Sequence, residues 1–523
     1  MADGIALVRN GRTRGQSGSR TGRILAGMGA GLLTRVLDFG KRFVLVPLFL
    51  TAWGGAKYGE WLTLSAAAAS LSLLDVGMHD FVVNRLRQCY VKADMEGFRR
   101  FLHGGLRLSL IACGAGLVGL MVFAGVAPVG EWFRLQHTSR VTTMVTLLIL
   151  GAAVLSQILT GLVIGVYRSV GEYGRGGIVG NCVLAAQVLL VAGALLLTQS
   201  FPVVAAATSI PLWLGMAFSV WDIGRRHPAI TFGVRQGTWL LALQILGPSS
   251  LFLLIMLSQV LTTQGAVLIL SIHCGGAAVA VFATTRILAG AARKLASVVQ
   301  HGVWPEFTAL QAEQELDKIR SLHIGLVKLS LILTLAATMS LYFVGAELYR
   351  FWTQRVLEFD PLLLALLLAS VTTESLWRAS SVVPLSSNRH AGVAVRFVGT
   401  GLLATGLCLA LVPPYGAPGA VLGLWLADIA VRVVAIPNRV CRLLRQPLAR
   451  FWAQAVLRGL PAIGLACFAA VVTHEATRGT ALHLPLVPCV TVGVLGAASF
   501  LTWFDDSERR RVRNLVRALR PGR

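Results

Sequence analysis

Four charged side chains interrupt one of the most apolar stretches of the chain. In LLTRVLDFGKRFVLVPLFL, Leu32 to Leu50, the charges are Arg35, Asp38, Lys41 and Arg42. Positions 35, 38 and 42 share one helical face through i+3 and i+4 spacing. If this helix leaves the membrane near Trp53, then at about 1.5 Å per residue Arg42 lies about 16 Å deep, Asp38 about 22 Å and Arg35 about 27 Å. A hydrocarbon core is about 30 Å thick, and a helix starting after Arg42 would have only about 12 residues with which to cross it. Each charge turned to lipid would cost roughly 2.5–3.5 kcal/mol, so these side chains must face protein or water. Arg286 falls at a similar depth, about 15 Å into its own apolar segment, and Arg293 follows seven residues later on the same face. Glu374 and Arg378, and Asp428 and Arg432, form two further pairs at i,i+4. The chemistry open to such a set is recognition rather than covalent catalysis. Arginines in a dry site bind phosphate oxygens in bidentate fashion. The carboxylates either neutralise their helical neighbours, as Asp38 would with Arg35 or Arg42, or carry a coupling ion.

These residues need apolar helices to position them, and the chain supplies them throughout. Of 523 residues, 55% are hydrophobic and 13% charged, with a mean hydropathy of +0.71. Soluble chains carry about 25% charged residues. Apolar runs near the membrane-crossing length recur along the whole sequence, without the alternation of a transmembrane barrel. The expected fold is all-α and polytopic, with about 14 transmembrane helices, near 24–53, 59–80, 105–128, 141–166, 177–198, 202–221, 242–272, 276–299, 323–347, 361–387, 391–412, 417–436, 458–474 and 483–503. The seventh is long and holds Gly247-Pro248, a place for a break or tilt. Arg107, Lys328 and Arg396 sit near span ends, where they are expected to snorkel. Gln157, Gln187, Gln244, Gln259 and Gln264 read as interhelical hydrogen-bonding groups. Asp75 and His79 read as capping or positioning groups.

The net charge of +24 follows from topology. One face of the membrane gathers about 32 Lys and Arg against about six on the other, which places both termini in the cytoplasm. The basic surface then meets anionic lipid rather than nucleic acid. The run DDSERRRVRNLVRALR and the segment 438–456 read as interfacial helices, the second with Trp452 at the interface. The connecting loops are short and leave no soluble domain. The eight cysteines are scattered, with no metal-binding spacing. There is no GxxxxGK[ST] loop for nucleotide and no cleavable apolar leader. No cofactor is implied beyond proton or sodium coupling.

The chain also repeats itself. LFLTAWGGAKYGEWLTLSA (48–66) is similar to LILSIHCGGAAVAVFATTRIL (268–288), with Gly54-Gly55 against Gly275-Gly276, Trp61 against Phe282 and Thr63 against Thr284. IVGN (178–181) matches FVGT (397–400) at nearly the same offset. Spans 1–6 and 7–12 then form a parallel repeat of two six-helix lobes around a central cavity, with two extra C-terminal helices. The expected organisation is a basic tail (1–23), an N-lobe (24–236), a C-lobe (237–437), an interfacial helix with spans 13 and 14 (438–503), and a second basic tail (504–523).

Three stretches carry a resemblance: PLFLTAWGGAKYGEWLTLSAAAASLSLLDVGMHDFVVNRL (47–86), GVYRSVGEYGRGGIVGN (165–181) and AVAVFATTRILAGAARKLASVVQHGVWPEFTAL (278–310). They resemble bacterial polysaccharide (O-antigen/exopolysaccharide) flippases of the multidrug/oligosaccharidyl-lipid/polysaccharide exporter superfamily, over spans 1–12. The resemblance implies alternating access and transfer of a polyprenyl-pyrophosphate-linked glycan across the bacterial inner membrane. It also implies partnership with polysaccharide polymerase and export machinery. Arg35, Lys41, Arg42, Arg286 and Arg293 would hold the pyrophosphate. Asp38, Glu374, Arg378, Asp428 and Arg432 would couple the cycle or balance charge. The chain lacks the basic residue that lipid II flippases carry in the second span. The rival expectations are an ion-coupled drug antiporter, which calls for an acidic cavity, and a membrane polymerase or ligase, which calls for a large exported loop. A non-transporting scaffold would leave the midplane arginines as an uncompensated cost.

Overall fold

The computed structural model describes residues 20–75, 78–238, 241, 253–386, 391–480, 482–506, 508–510 and 513. The Gly247-Pro248 expectation and both extreme tails lie outside them. Among the described residues all regular structure is helical. The helices are α1 (Arg20–Ala69), α2 (Met78–Val91), α3 (Met95–Val126), α4 (Val129–Trp132), α5 (Arg140–Val170), α6 (Tyr173–Leu197), α7 (Phe201–Arg226), α8 (Ala266–Ala312), α9 (Leu316–Trp352), α10 (Pro361–Ser386), α11 (Ala391–Asp428), α12 (Ala435–Leu443), α13 (Leu448–Ala455), α14 (Leu460–Thr477) and α15 (His483–Ala498). Among the described residues ten segments are long and apolar enough to cross a membrane. Their flanks expose large apolar side chains such as Val118, Leu189, Leu197 and Phe468, which suit lipid rather than water. The chain is a multi-pass membrane protein.

Three of the longest helices are hairpins, each turning on one glycine. α1 breaks at Gly54, α8 at Gly275 and α11 at Gly416, all with positive φ. Contacts across each break fold the two limbs back on each other. Phe49 stacks on Tyr58 and Trp61 around Gly54. Arg286 donates to the Thr263 carbonyl around Gly275. Backbone approaches of Gly419 to Leu411 and of Gly423 to Cys408 bracket Gly416. Together with the helical turns that adjoin them, each therefore supplies two limbs at the positions read as spans 1 and 2, 7 and 8, and 11 and 12, of which 242–252 lie outside the described residues.

The repeated residues take the same local geometry. Gly54 has φ 72°, ψ 176° and Gly275 has φ 76°, ψ −175°. Thr63 and Thr284 are both buried and both donate back four residues, to the Gly59 and Ala280 carbonyls. That backbone conformation is essentially restricted to glycine. A Cβ at Gly54 or Gly275 would meet nothing within 4 Å, so substitution there costs backbone strain alone. Gly54→Ala and Gly275→Ala are each expected to destabilise by about 1–3 kcal/mol, read as a fall in the melting temperature of the detergent-solubilised protein. The neighbouring Gly40→Ala, a helical position with open space around it, should be neutral. Equal melting for all three would disprove the strain.

The helices gather into two compact units, Met1–Val260 with Gly275–Ala277, and Leu261–Cys274 with Ala278–Arg523. The core of the first holds Val82, Leu86, Phe98, Leu102, Val166, Tyr167 and Ile223. At the turn between α5 and α6, Asp222 accepts two bonds from Arg175 and one from the Tyr167 hydroxyl. Beside it, hydrogen bonds from His227 and Arg226 hold the Glu172 carboxyl below its usual range. The stretch after α7 is clipped to α3: His103 bonds the Thr231 carbonyl and the Gln236 N–H, and Arg107 bonds the Gly237 carbonyl.

Two cores build the second unit, one around Phe307, Val327, Val440 and Phe451, the other around Leu331, Ala466, Leu495 and Trp503. The segment read as one interfacial helix at 438–456 is two, α12 and α13, separated at Gln446-Pro447. The break follows from Pro447, which cannot continue a helix begun before it; Arg320 of α9 donates to the Leu444 carbonyl at the end of α12. Lys328 does not snorkel. It is 1% exposed and pairs with Glu508 at 2.7 Å, an anchor that makes burial of its charge tolerable.

Candidate functional site

The second unit brings five of the sequence-selected charges together. α8 contributes Arg293, and α10 contributes Glu374 and Arg378 one turn apart. The end of α11 and the π-turn Ile429–Val433 contribute Asp428 and Arg432. Glu374 lies between two arginines. Its Oε2 is 2.7 Å from Arg293 Nε, and its Oε1 accepts from Arg378 Nε at 2.8 Å and from Arg378 Nη2. Arg432 Nη1 is 3.4 Å from Asp428 Oδ1. Trp377 joins the two pairs: its indole N–H donates to Asp428 Oδ2 at 2.6 Å. Arg378 and Arg432 lie over the Trp377 ring, with Arg432 also 4.2 Å from the Phe397 ring. Glu374, Asp428 and Arg432 are buried. The arginine side chains at 293 and 378 remain about two-fifths exposed, at 41% and 42%. Three guanidinium groups thus face two carboxylates, and the excess is positive.

The π-turn has a local consequence. One extra residue in the helical turn rotates the residues beyond it, the usual reason such turns occur at sites. Asp428 immediately precedes that turn and Arg432 lies within it, and the two still form a pair. Arg286, seven residues before Arg293, is half-buried, bonds the Thr263 carbonyl at 3.1 Å and lies 5.0 Å over the Phe282 ring. Phe282 is the repeat partner of Trp61, but Arg286 aligns with Ser65. The Arg286 charge therefore has no counterpart at the matching position of the first half.

In the first unit, Lys41 donates to Gln187 Oε1 at 3.0 Å, and the Gln187 amide donates in turn to the Thr208 carbonyl. Gln187 acts as the interhelical bridge its type suggested. Arg42 is exposed. The side chains of Arg35 and Asp38 lie outside the described residues. His79 and Asp75 stand 3.9 Å apart. Among the described residues no group of three His, Cys, Asp or Glu is placed to hold a metal ion.

Sequence reasoning missed Trp377 and Phe397, although ESLWR places the tryptophan between Glu374 and Arg378. It also missed Glu60, which is buried and accepts from the backbone N–H groups of Gln136 and His137 and approaches the His137 ring. A carboxylate near the start of the apolar limb after Gly54 was the available signal.

No family model matches the sequence, and no curated protein sequence matches it. Solved structures do. The lipid II flippase MurJ in an inward closed conformation superimposes with a TM-score of 0.69 at 12% identity, covering 91% of this chain and 98% of that one. An inward-facing multidrug-resistance MATE family transporter of the MOP superfamily gives 0.65 at 14% identity, over 80% and 98%. A MATE transporter in complex with MaD3S gives 0.54 at 16% identity, over 82% and 98%. At these identities the likeness is one of fold, to solved structures described as a lipid II flippase and as MATE transporters.

Proposed function

We propose that this protein is a flippase that moves a polyprenyl-pyrophosphate-linked oligosaccharide across the bacterial inner membrane by alternating access, for cell-surface polysaccharide synthesis. The observation that carries the reading is the sign of the embedded charge. Arg293, Arg378 and Arg432 outnumber Glu374 and Asp428, and Arg286, Lys41 and Arg42 add further cations on membrane-embedded limbs. A transporter that accepts cationic drugs needs the opposite sign. A pyrophosphate diester carries two negative charges and presents the oxygens that guanidinium forks match. One of the fold neighbours is itself described as a lipid II flippase, so the fold accommodates a lipid-linked cargo.

In this reading Arg42 and Arg286, with Arg35, Lys41 and Arg293, take the pyrophosphate. The pairs Glu374/Arg378 and Asp428/Arg432, with Asp38, hold the charge balance or carry the coupling proton or sodium ion. Both termini lie in the cytoplasm, and polymerase and export machinery act on the delivered glycan. Arg42→Ala and Arg286→Ala are expected to abolish transport while the protein still inserts. The check is extraction of membrane lipids from cells carrying only the variant, where one polyprenyl-pyrophosphate glycan should accumulate in the inner leaflet and clear on restoring the wild-type copy. Wild-type lipid pools with both variants at normal expression would defeat the assignment. An unchanged pool in cells lacking the protein, with surface polysaccharide intact and no second flippase, would favour the antiporter instead.

A further inference from the structure

A second charged site lies at one end of the C-terminal helix pair, apart from the cluster around Glu374. α14 and α15 run antiparallel, so the start of α14 and the turn after α15 meet at the same membrane level. Between them opens a groove of about 440 Å³. Arg458 and Arg509 line it, as do Asp505 and Asp506, over a floor that includes Trp503 and Phe504. The floor is fixed. Trp503 packs so closely on Gly459 that a Cβ there would lie 2.5 Å from its ring, and its indole N–H bonds the Gln454 carbonyl. The acidic wall is fixed as well. Asp505 and Glu508 exchange backbone and side-chain bonds in a capping box, and Glu508 is tied to the buried Lys328.

The charges do not fully neutralise one another. Arg458 is exposed and lines the groove together with Asp505, Asp506 and Arg509. Asp506 reaches Arg509 only at 3.5 Å and is 84% exposed. Arg509 also donates to the Leu501 carbonyl. Around the mouth, Leu457, Leu460 and Leu501 present exposed apolar side chains. The groove thus offers a cationic arm, an anionic arm and an apolar exit toward the lipid.

We infer that this groove binds the headgroup of a zwitterionic phospholipid with a primary ammonium, phosphatidylethanolamine, from the adjoining leaflet. The phosphate sits on Arg458 and Arg509, the ammonium donates to Asp505 and Asp506, and the acyl chains follow the apolar side chains at the mouth. An anionic headgroup without an amine would satisfy the arginines and face two carboxylates. A choline headgroup would place a quaternary ammonium with no N–H against those same oxygens. The inference stands independently of the pyrophosphate reading, since it needs only a membrane at this level.

The test is native mass spectrometry of the full-length protein in detergent, titrated separately with phosphatidylethanolamine, phosphatidylcholine and phosphatidylglycerol of matched chains. The ethanolamine lipid should bind about tenfold tighter than either competitor, the value of one charge-assisted hydrogen bond. Asp506→Asn should erase the preference for ethanolamine over choline. Arg458→Gln should weaken all three lipids. Both side chains are solvent-exposed, so both variants should keep the wild-type melting temperature. Equal binding of the three lipids, preference for phosphatidylglycerol, or indifference of the ethanolamine lipid to both substitutions would overturn the assignment.

Discussion

Glu374→Ala is expected to cost about 3–5 kcal/mol of stability, the usual result of leaving buried charge without its partner. Glu374 is the carboxylate bonded to Arg378, and it faces Arg293 from a second helix. Removing it leaves three guanidinium groups facing Asp428 alone, with Trp377 fixed between them by its bond to Asp428. Glu374→Gln keeps the shape and two acceptor lone pairs but not the charge, so it should lie between wild type and alanine. Replacing the whole triad, as Glu374→Leu with Arg293→Met and Arg378→Met, should recover most of the loss, because matched apolar side chains carry no desolvation penalty. Thermal unfolding of the detergent-solubilised proteins gives the order. If Glu374→Ala melts within about 1 kcal/mol of wild type, an ordinary surface ion pair's range, water solvates the arginines and the cluster is not a closed network. The triad variant also separates structure from function. It should fold yet lose transport, because Arg293 no longer reaches the pyrophosphate and the cluster around Trp377 keeps no excess of positive charge.

Legibility in the sequence depends on how local each feature is. Apolar run length marks the traverses, because a bilayer sets the length of a helix. The glycine pairs at 54 and 275 expose the repeat, because a positive-φ, extended-ψ turn is closed to other residues. The pairs Glu374/Arg378 and Asp428/Arg432 are visible because four residues make one helical turn. The bond from Arg293 to Glu374 depends on how α8 packs on α10, which no periodicity records. The same limit hides the Trp377 bridge, the Glu60 clamp on His137 and the role of Lys328. Charge sign is legible in sequence, whereas the partner of each charge is a property of tertiary packing.

Lys328 shows that limit most sharply and gives the second large prediction. Its ammonium is buried in α9 and bonds Glu508 Oε2 at 2.7 Å and the Trp503 carbonyl at 3.2 Å. The partners are 180 residues apart, and the pair ties the start of the C-terminal basic segment to α9. The two members are not equivalent. Glu508 keeps 16% of its side-chain surface exposed and Lys328 only 2%. Glu508→Ala therefore strands a buried ammonium and removes the capping-box partner of Asp505, at an expected cost of about 3–5 kcal/mol. Lys328→Met leaves a carboxylate that can turn to water and fills the site with an unbranched apolar chain, so its cost should be well below that of Glu508→Ala. The double variant Glu508→Ala/Lys328→Met should return close to Lys328→Met alone, since no unpaired charge remains inside. Melting temperatures of the three variants, with limited proteolysis of the segment after Trp503, distinguish the outcomes. Equal costs for the two single substitutions would mean that the ammonium reaches water by another route. In that case the C-terminal segment would be held by Trp503 and its apolar neighbours rather than by the ion pair.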